Sequence, residues 1–166
     1  MLTPTNIFIS PSKGKLTAAQ IINDVALFIS EDTRYKYRII IGTDSQNHTD
    51  TEFVIAIIVH RVGNGGRYYW QRLKAPKITQ LRPRIYQEAL LSIQVANVLF
   101  KQFERRMATI YKLTSKPELE IHVDIGQVGK TRELIKEVIG MIQGNGYQAK
   151  IKPESFGASK IADRYT

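Results

Sequence analysis

The apolar positions of the chain follow two periods, and the switches between them mark out its elements. Ala18, Ile21, Ile22, Val25, Phe28 and Ile29 recur every three or four residues, as on one face of a helix. Thr17-Ala-Ala-Gln20 stands at its start as a capping box, in which hydroxyl and amide oxygens satisfy early backbone N–H groups. Between Arg38 and Gly42 lie Ile39, Ile40 and Ile41, β-branched and apolar on both faces, which suits a central strand. Gly42, Thr43 and Ser45 are expected to form the turn that ends it. Residues 53–60 and 67–73 read as two further strands joined by the hairpin signal Gly63-Asn64-Gly65-Gly66. Pro83 is tolerated only in a first helical turn, so a long helix should start just before it. Its stripe is Ile85, Ala89, Ile93, Ala96, Phe100, Phe103, Met107 and Ile110. A strand over 119–125, a helix over 130–143 and a strand over 147–151 follow. Gly144-Asn145-Gly146 is expected to close that helix with a left-handed cap. A short helix over 158–165 ends the chain, and residues 3–15 read as an extended lead-in.

Helical crossovers make the last two strands parallel neighbours of the first. At 166 residues the chain is read as a single domain, with residues 1–35 as lead-in and extra helix. The formal charge of +9 and pI near 9.8 favour an anionic partner, most simply nucleic acid. With no cysteine there is no disulfide framework and no thiolate metal site. No apolar run is long enough to span a membrane and no signal peptide is visible, so the expected setting is cytoplasmic, away from membranes.

Four carboxylates stand out by position. Asp44 and Asp124 fall at the expected C-terminal ends of adjacent parallel strands, where open α/β sheets bind ligands. Glu88 flanks the long helix's apolar stripe, one turn from Ile85 and Ser92, and Asp163 lies in the final helix beside Ser159 and Lys160. Taken singly, Asp44 also reads as a turn or cap residue. Taken together, clustered carboxylates repel one another unless cations neutralise them, which suits Mg²⁺. Gly126-Gln-Val-Gly129-Lys130-Thr131 is too short between its glycines for a P-loop, although a helix N-terminus there could meet a phosphate. His48, His60 and His122 lack metal-ligand spacing, and His122 reads as a hydrogen-bonded structural residue. Tyr68, Tyr69 and Trp70 beside Arg67 and Arg72 read either as base-stacking residues or, for at least one of them, as core.

The order of these acids along strand, helix, strand and helix resembles the ribonuclease H-like fold. More closely, Pro11-Ser-Lys-Gly-Lys15, Ile41-Gly-Thr-Asp-Ser-Gln46, Val59-His-Arg-Val-Gly63 and Ala162-Asp-Arg164 resemble the YkuK type, a poorly characterised prokaryotic family within it. The resemblance implies an α/β fold with a mixed five-stranded sheet in the order 3-2-1-4-5, strand 2 antiparallel. Helices would cover both faces, with an extra N-terminal helix. It implies a nuclease that hydrolyses phosphodiester bonds of RNA, DNA or a hybrid with two Mg²⁺ or Mn²⁺ ions. Asp44 would bridge the ions, Glu88 and Asp124 would hold one and Asp163 the other. Lys74, Lys77, Arg82, Arg84, Lys130 and Lys160 would contact nucleic acid. There are two departures. Asp44-Ser45-Gln46 replaces the Asp-Gly-Ser common in ribonuclease H proper, and no histidine follows His122. The competing reading is a non-catalytic nucleic-acid-binding or scaffold protein that keeps the fold.

Overall fold

Two long antiparallel strands form the spine of the protein in its computed structural model, which describes residues 2–108, 116–129 and 131–155. These are β3 (Tyr37–Asn47) and β4 (Thr51–Arg61), in unbroken register from Tyr37↔Arg61 to Asn47↔Thr51. Gly42 therefore does not end the first strand as expected. Buried Phe53 and Val54 offer partners to Ser45 and Asp44, and the ladder runs on past the glycine. On the far side of β4 lies β5 (Gly66–Ala75), reached through the expected hairpin. On the far side of β3 lie β6 (Glu118–His122) and β7 (Gln148–Lys150), both parallel.

The sheet has seven strands, which corrects the five-stranded 3-2-1-4-5 arrangement. The N-terminal lead-in is a hairpin, β1 (Ile7–Ser10) and β2 (Gly14–Thr17), and the order is β2-β1-β5-β4-β3-β6-β7. Each added strand has four residues, too few alternations to stand out in sequence. Gly14 makes their turn possible at φ +73°, a left-handed conformation that favours glycine.

The helices are α1 (Ala18–Glu31), α2 (Leu81–Met107) and α3 (Ile135–Gly144), the last preceded by a 3₁₀ turn at Arg132–Leu134. The capping box of α1 forms as read: Gln20 N–H donates to Thr17 Oγ1 at 3.2 Å, and Thr17 N–H donates to Gln20 Oε1 at 2.8 Å. Pro83 lies in the first turn of α2, and Gly146, at φ +90°, follows the end of α3. Because α2 packs against α1, α3, β3 and β4, the three described α-helices share one face of the sheet. Helices on both faces, the arrangement expected from the sequence, are not found among the described residues. The helix expected over 158–165 lies outside them.

Ile39, Ile41, Phe53, Ile55 and Ile57 point into the core beneath α1 and α2. A buried carboxylate, Asp24 of α1, ties this layer to the N-terminal hairpin and to β5. It accepts from Lys13 of the β1–β2 turn, from Arg67 Nη1 at 2.9 Å and from Tyr69 Oη at 2.5 Å. Burial alone would raise the Asp24 carboxyl. The hydrogen bonds from Lys13 and Tyr69 and the charge of Arg67 outweigh it and hold the group below the ordinary carboxylate value.

Candidate active site

Thr43 and Ser45 alternate toward α2, and three hydroxyl contacts fasten strand to helix there. Thr43 Oγ1 lies 2.8 Å from Ser92 Oγ, Ser92 Oγ donates to the Glu88 carbonyl at 3.1 Å, and Ser45 Oγ donates to Glu88 Oε1 at 2.5 Å. Glu88 is thereby fixed under the C-terminal half of β3, 7% exposed. Its carboxyl is pushed up to about 8, first by burial and then by the negative fields of Asp44 and Asp124. The Ser45 hydrogen bond and the Arg84 charge oppose that rise without cancelling it.

Asp44 lies between the two hydroxyl residues and, by strand alternation, on the face away from α2. It pairs with Val54 inside the ladder, so neither the strand-exit position nor the turn-or-cap reading holds. The β3–β6 ladder stops at Gly42↔His122 while β3 continues to Asn47. Beyond Gly42 the strand edge therefore borders, across a notch, the loop that carries Asp124, two residues past the end of β6. The charges of Asp44 and Asp124 both reach Glu88, although Glu88 lies on the α2 side of the sheet and Asp44 alternates to the other.

Lys152 occupies the same notch, with Nζ 2.7 Å from Asp124 Oδ1. Val123 N–H donates to the Lys150 carbonyl at 2.9 Å and Lys152 N–H to the Ile125 carbonyl at 3.0 Å, so main-chain pairing continues past β7 and delivers the lysine. Among the described residues, no three Asp, Glu or His side chains are arranged to hold one metal ion. Glu88 is turned to Ser45 and Asp124 to Lys152. The donor chemistry nevertheless suits a hard divalent cation: the three acids offer only carboxylate oxygens, and the Glu88 carboxylate, disfavoured first by burial and then by Asp44 and Asp124, lacks the positive charge such an ion would supply. Asp163 lies outside the described residues.

A family model described as Ribonuclease H-like matches residues 20–166. The chain belongs to the ribonuclease H-like family. It is 32% identical over 169 residues to "Uncharacterized protein YkuK" of Bacillus subtilis (strain 168), with 96% of each chain covered. No solved structure matches it.

This ribonuclease H-like chain treats the basic residues expected at nucleic acid unevenly. Lys74 is paired with Glu52 at 3.2 Å and Arg82 with Glu137 at 3.1 Å, whereas exposed Lys77 has no ion-pair partner among the described residues. Arg84 is half-buried and acts on Glu88; Lys130 and Lys160 lie outside the described residues. Tyr69 is the core member of the aromatic trio, while Arg72 lies 5.8 Å from the Trp70 ring. Gly126 N–H donates to Thr131 Oγ1 at 3.3 Å, which removes one donor from any phosphate cradle in that loop. His122 lies 2.8 Å from Glu120, both buried. Burial pushes its imidazole down against the Glu120 hydrogen bond, which fits a structural histidine. Glu120 and His122 alternate to the sheet face away from α2, and that face is buried here, not open to solvent as polar side chains alone would suggest.

Ser45 and Lys152 are the site residues that sequence reasoning missed. Alternation from Asp44 was enough to aim Ser45 at the long helix. Lys152 required the parallel register.

Proposed function

We propose that this protein is a divalent-metal-dependent nuclease that hydrolyses phosphodiester bonds. Asp44, Glu88 and Asp124 would act as ligands, joined by Asp163 as the fourth acid, with two Mg²⁺ or Mn²⁺ ions as the complement. The observation that carries this reading is Glu88, a carboxylate 7% exposed whose proton affinity is raised first by burial and further by its neighbours Asp44 and Asp124. Acids held against electrostatic strain in a notch are a mark of function. When bound, the ions would activate water and steady the leaving oxygen. The chain itself contributes orientation: Ser45 and Ser92 fix Glu88 and its turn of α2, and the β6–β7 register fixes Asp124. Lys77 and the neighbouring basic residues would meet the nucleic-acid backbone, in keeping with the net charge of +9. No described helix is long and apolar enough to cross a membrane, and a cytoplasmic setting is part of the proposal.

A panel of labelled RNA, DNA and hybrid duplexes, incubated with Mg²⁺, Mn²⁺ or EDTA, tests the activity. Wild type should cleave at least one substrate with metal and none in EDTA. Asp44→Asn should lose cleavage by a hundredfold or more, on the order of the loss from removing one transition-state stabiliser. It should also lose any Mg²⁺-induced rise in Tm while remaining at least as stable in EDTA. The second reading, a non-catalytic nucleic-acid-binding protein, draws on the acids' present engagement with Ser45 and Lys152. Salt-sensitive binding without cleavage under any metal would favour it.

A further inference from the structure

We infer that Lys152 is the resident cation of the candidate site, neutralising Asp124 until a divalent ion claims the carboxylate and so setting how tightly that ion binds. The inference rests on the proposed metal-dependent reading and adds a residue to it.

The lysine does not arrive by an accident of side-chain reach. The register Glu120↔Gln148, Ile121↔Ala149 and His122↔Lys150 continues through the Val123–Lys150 and Lys152–Ile125 main-chain bonds. Asp124 and Lys152 therefore extend past the ends of adjacent parallel strands in step with one another. Their side chains are 32% and 56% exposed, with Asp124 Oδ1 itself turned away from water, so the pair is half-open to solvent and contributes modestly to stability. Its larger effect falls on the neighbouring acids, whose fields already raise Glu88. One positive charge 2.7 Å from Asp124 Oδ1 offsets part of that repulsion while the site lacks a metal.

A divalent ion would sit about 2.0–2.1 Å from a carboxylate oxygen, as Mg²⁺ does. Placed on Asp124, it would leave two cations within a few ångströms of each other in a partly desolvated notch. The ammonium must then give way. Its flexible four-carbon stem and its exposure allow that movement. Metal affinity is consequently the free energy of binding the acids less that of displacing Lys152. This also accounts for acids that sense one another without being drawn round one point: the notch is held in its lysine-neutralised form.

The test is Mn²⁺ binding to the whole protein, followed by calorimetric titration and by the Mn²⁺-induced rise in Tm, neither of which requires turnover. Wild type is compared with Lys152→Met, which keeps the stem without the charge, and with Lys152→Arg, which keeps the charge. Lys152→Met should bind Mn²⁺ tighter by about tenfold or more, with a larger rise in Tm, while Lys152→Arg stays near wild type or binds more weakly. Equal or weaker binding by Lys152→Met overturns the inference and leaves the metal reading standing. A loss of stability in EDTA with unchanged Mn²⁺ affinity also overturns it, making the pair structural only. No Mn²⁺ binding by any of the three proteins, up to millimolar metal, overturns the inference together with the proposed nuclease.

Discussion

Asp24 and Glu88 are both buried carboxylates, 6% and 7% exposed, one on each of the two helices that pack together over the sheet. Desolvation works against the charged form of both, yet their acidities move in opposite directions. Asp24 meets Lys13, Arg67 and Tyr69, so every nearby group favours its charge. Glu88 meets one serine hydroxyl and the charge of Arg84, one turn back on the same helix, and its other charged neighbours are acids. Equal burial with unequal compensation separates a structural carboxylate from the one proposed as a metal ligand. The first locks the N-terminal hairpin and β5 onto α1. The second is held in a state that folding alone would not favour, which is expected where a ligand is to complete the site.

The comparison breaks most clearly under a change of pH. With the Glu88 carboxyl raised from 4.5 to about 8, the native state keeps a proton that the unfolded chain releases. The native state then binds more protons across that window, so stability falls as pH rises through it. At about 1.4 kcal/mol per unit, the loss is at most roughly 5 kcal/mol by pH 8. Glu88→Gln removes the titration and keeps an oxygen to accept from Ser45. In EDTA, urea unfolding from pH 5 to pH 8 should show wild type losing stability that the variant keeps. Matching pH profiles would return Glu88 to the ordinary carboxylates.

Asp24→Ala tests the other half. It strands Lys13, Arg67 and Tyr69 without their acceptor and should cost about 3 kcal/mol, the lower end for breaking a buried pair, because Lys13 and Arg67 reach solvent. Any Mg²⁺-induced rise in Tm should survive in this variant, measured against its own metal-free baseline. Loss of the metal response alongside stability would mean that the two carboxylates do not have separate duties.

The contrast between these residues also explains what the sequence disclosed. Thr17 and Gln20 act within one turn of chain, and their capping box was legible because it is local. The stripe beginning at Ile85 and the isoleucines of β3 were legible because burial imposes periods of 3.6 and 2. The hairpin of β1 and β2 was not, since its strands are short and gain their place by pairing Ile9 with Trp70, far along the chain. Gly42 misled for a related reason: its φ is not left-handed, and β4 supplies partners on both sides of it. Asp44, Glu88 and Asp124 were singled out from their positions and order along the chain. Their electrostatic coupling and the approach of Lys152 depend on register between strands, which composition and spacing do not encode.

The smallest effect extends the same distinction to the surface, where a cation already answered by an acid has less to give to nucleic acid than one that is not. Lys74 lies 3.2 Å from Glu52, which Arg72 also approaches at 3.8 Å, so part of its field is spent within the protein. Exposed Lys77, three residues on, has no such partner among the described residues. A lysine that neutralises one duplex phosphate contributes about 0.9 to the slope of log affinity against log salt. Lys77→Gln should therefore lower that slope by nearly this amount. Lys74→Gln should lower it by less, since the Glu52 charge it leaves behind was already present in the wild-type field. Fluorescence anisotropy on one labelled duplex across a salt series in EDTA measures both slopes without cleavage. Equal decrements would show that the ion pair with Glu52 opens freely on binding, and unchanged slopes in both variants would move the nucleic-acid surface away from this loop.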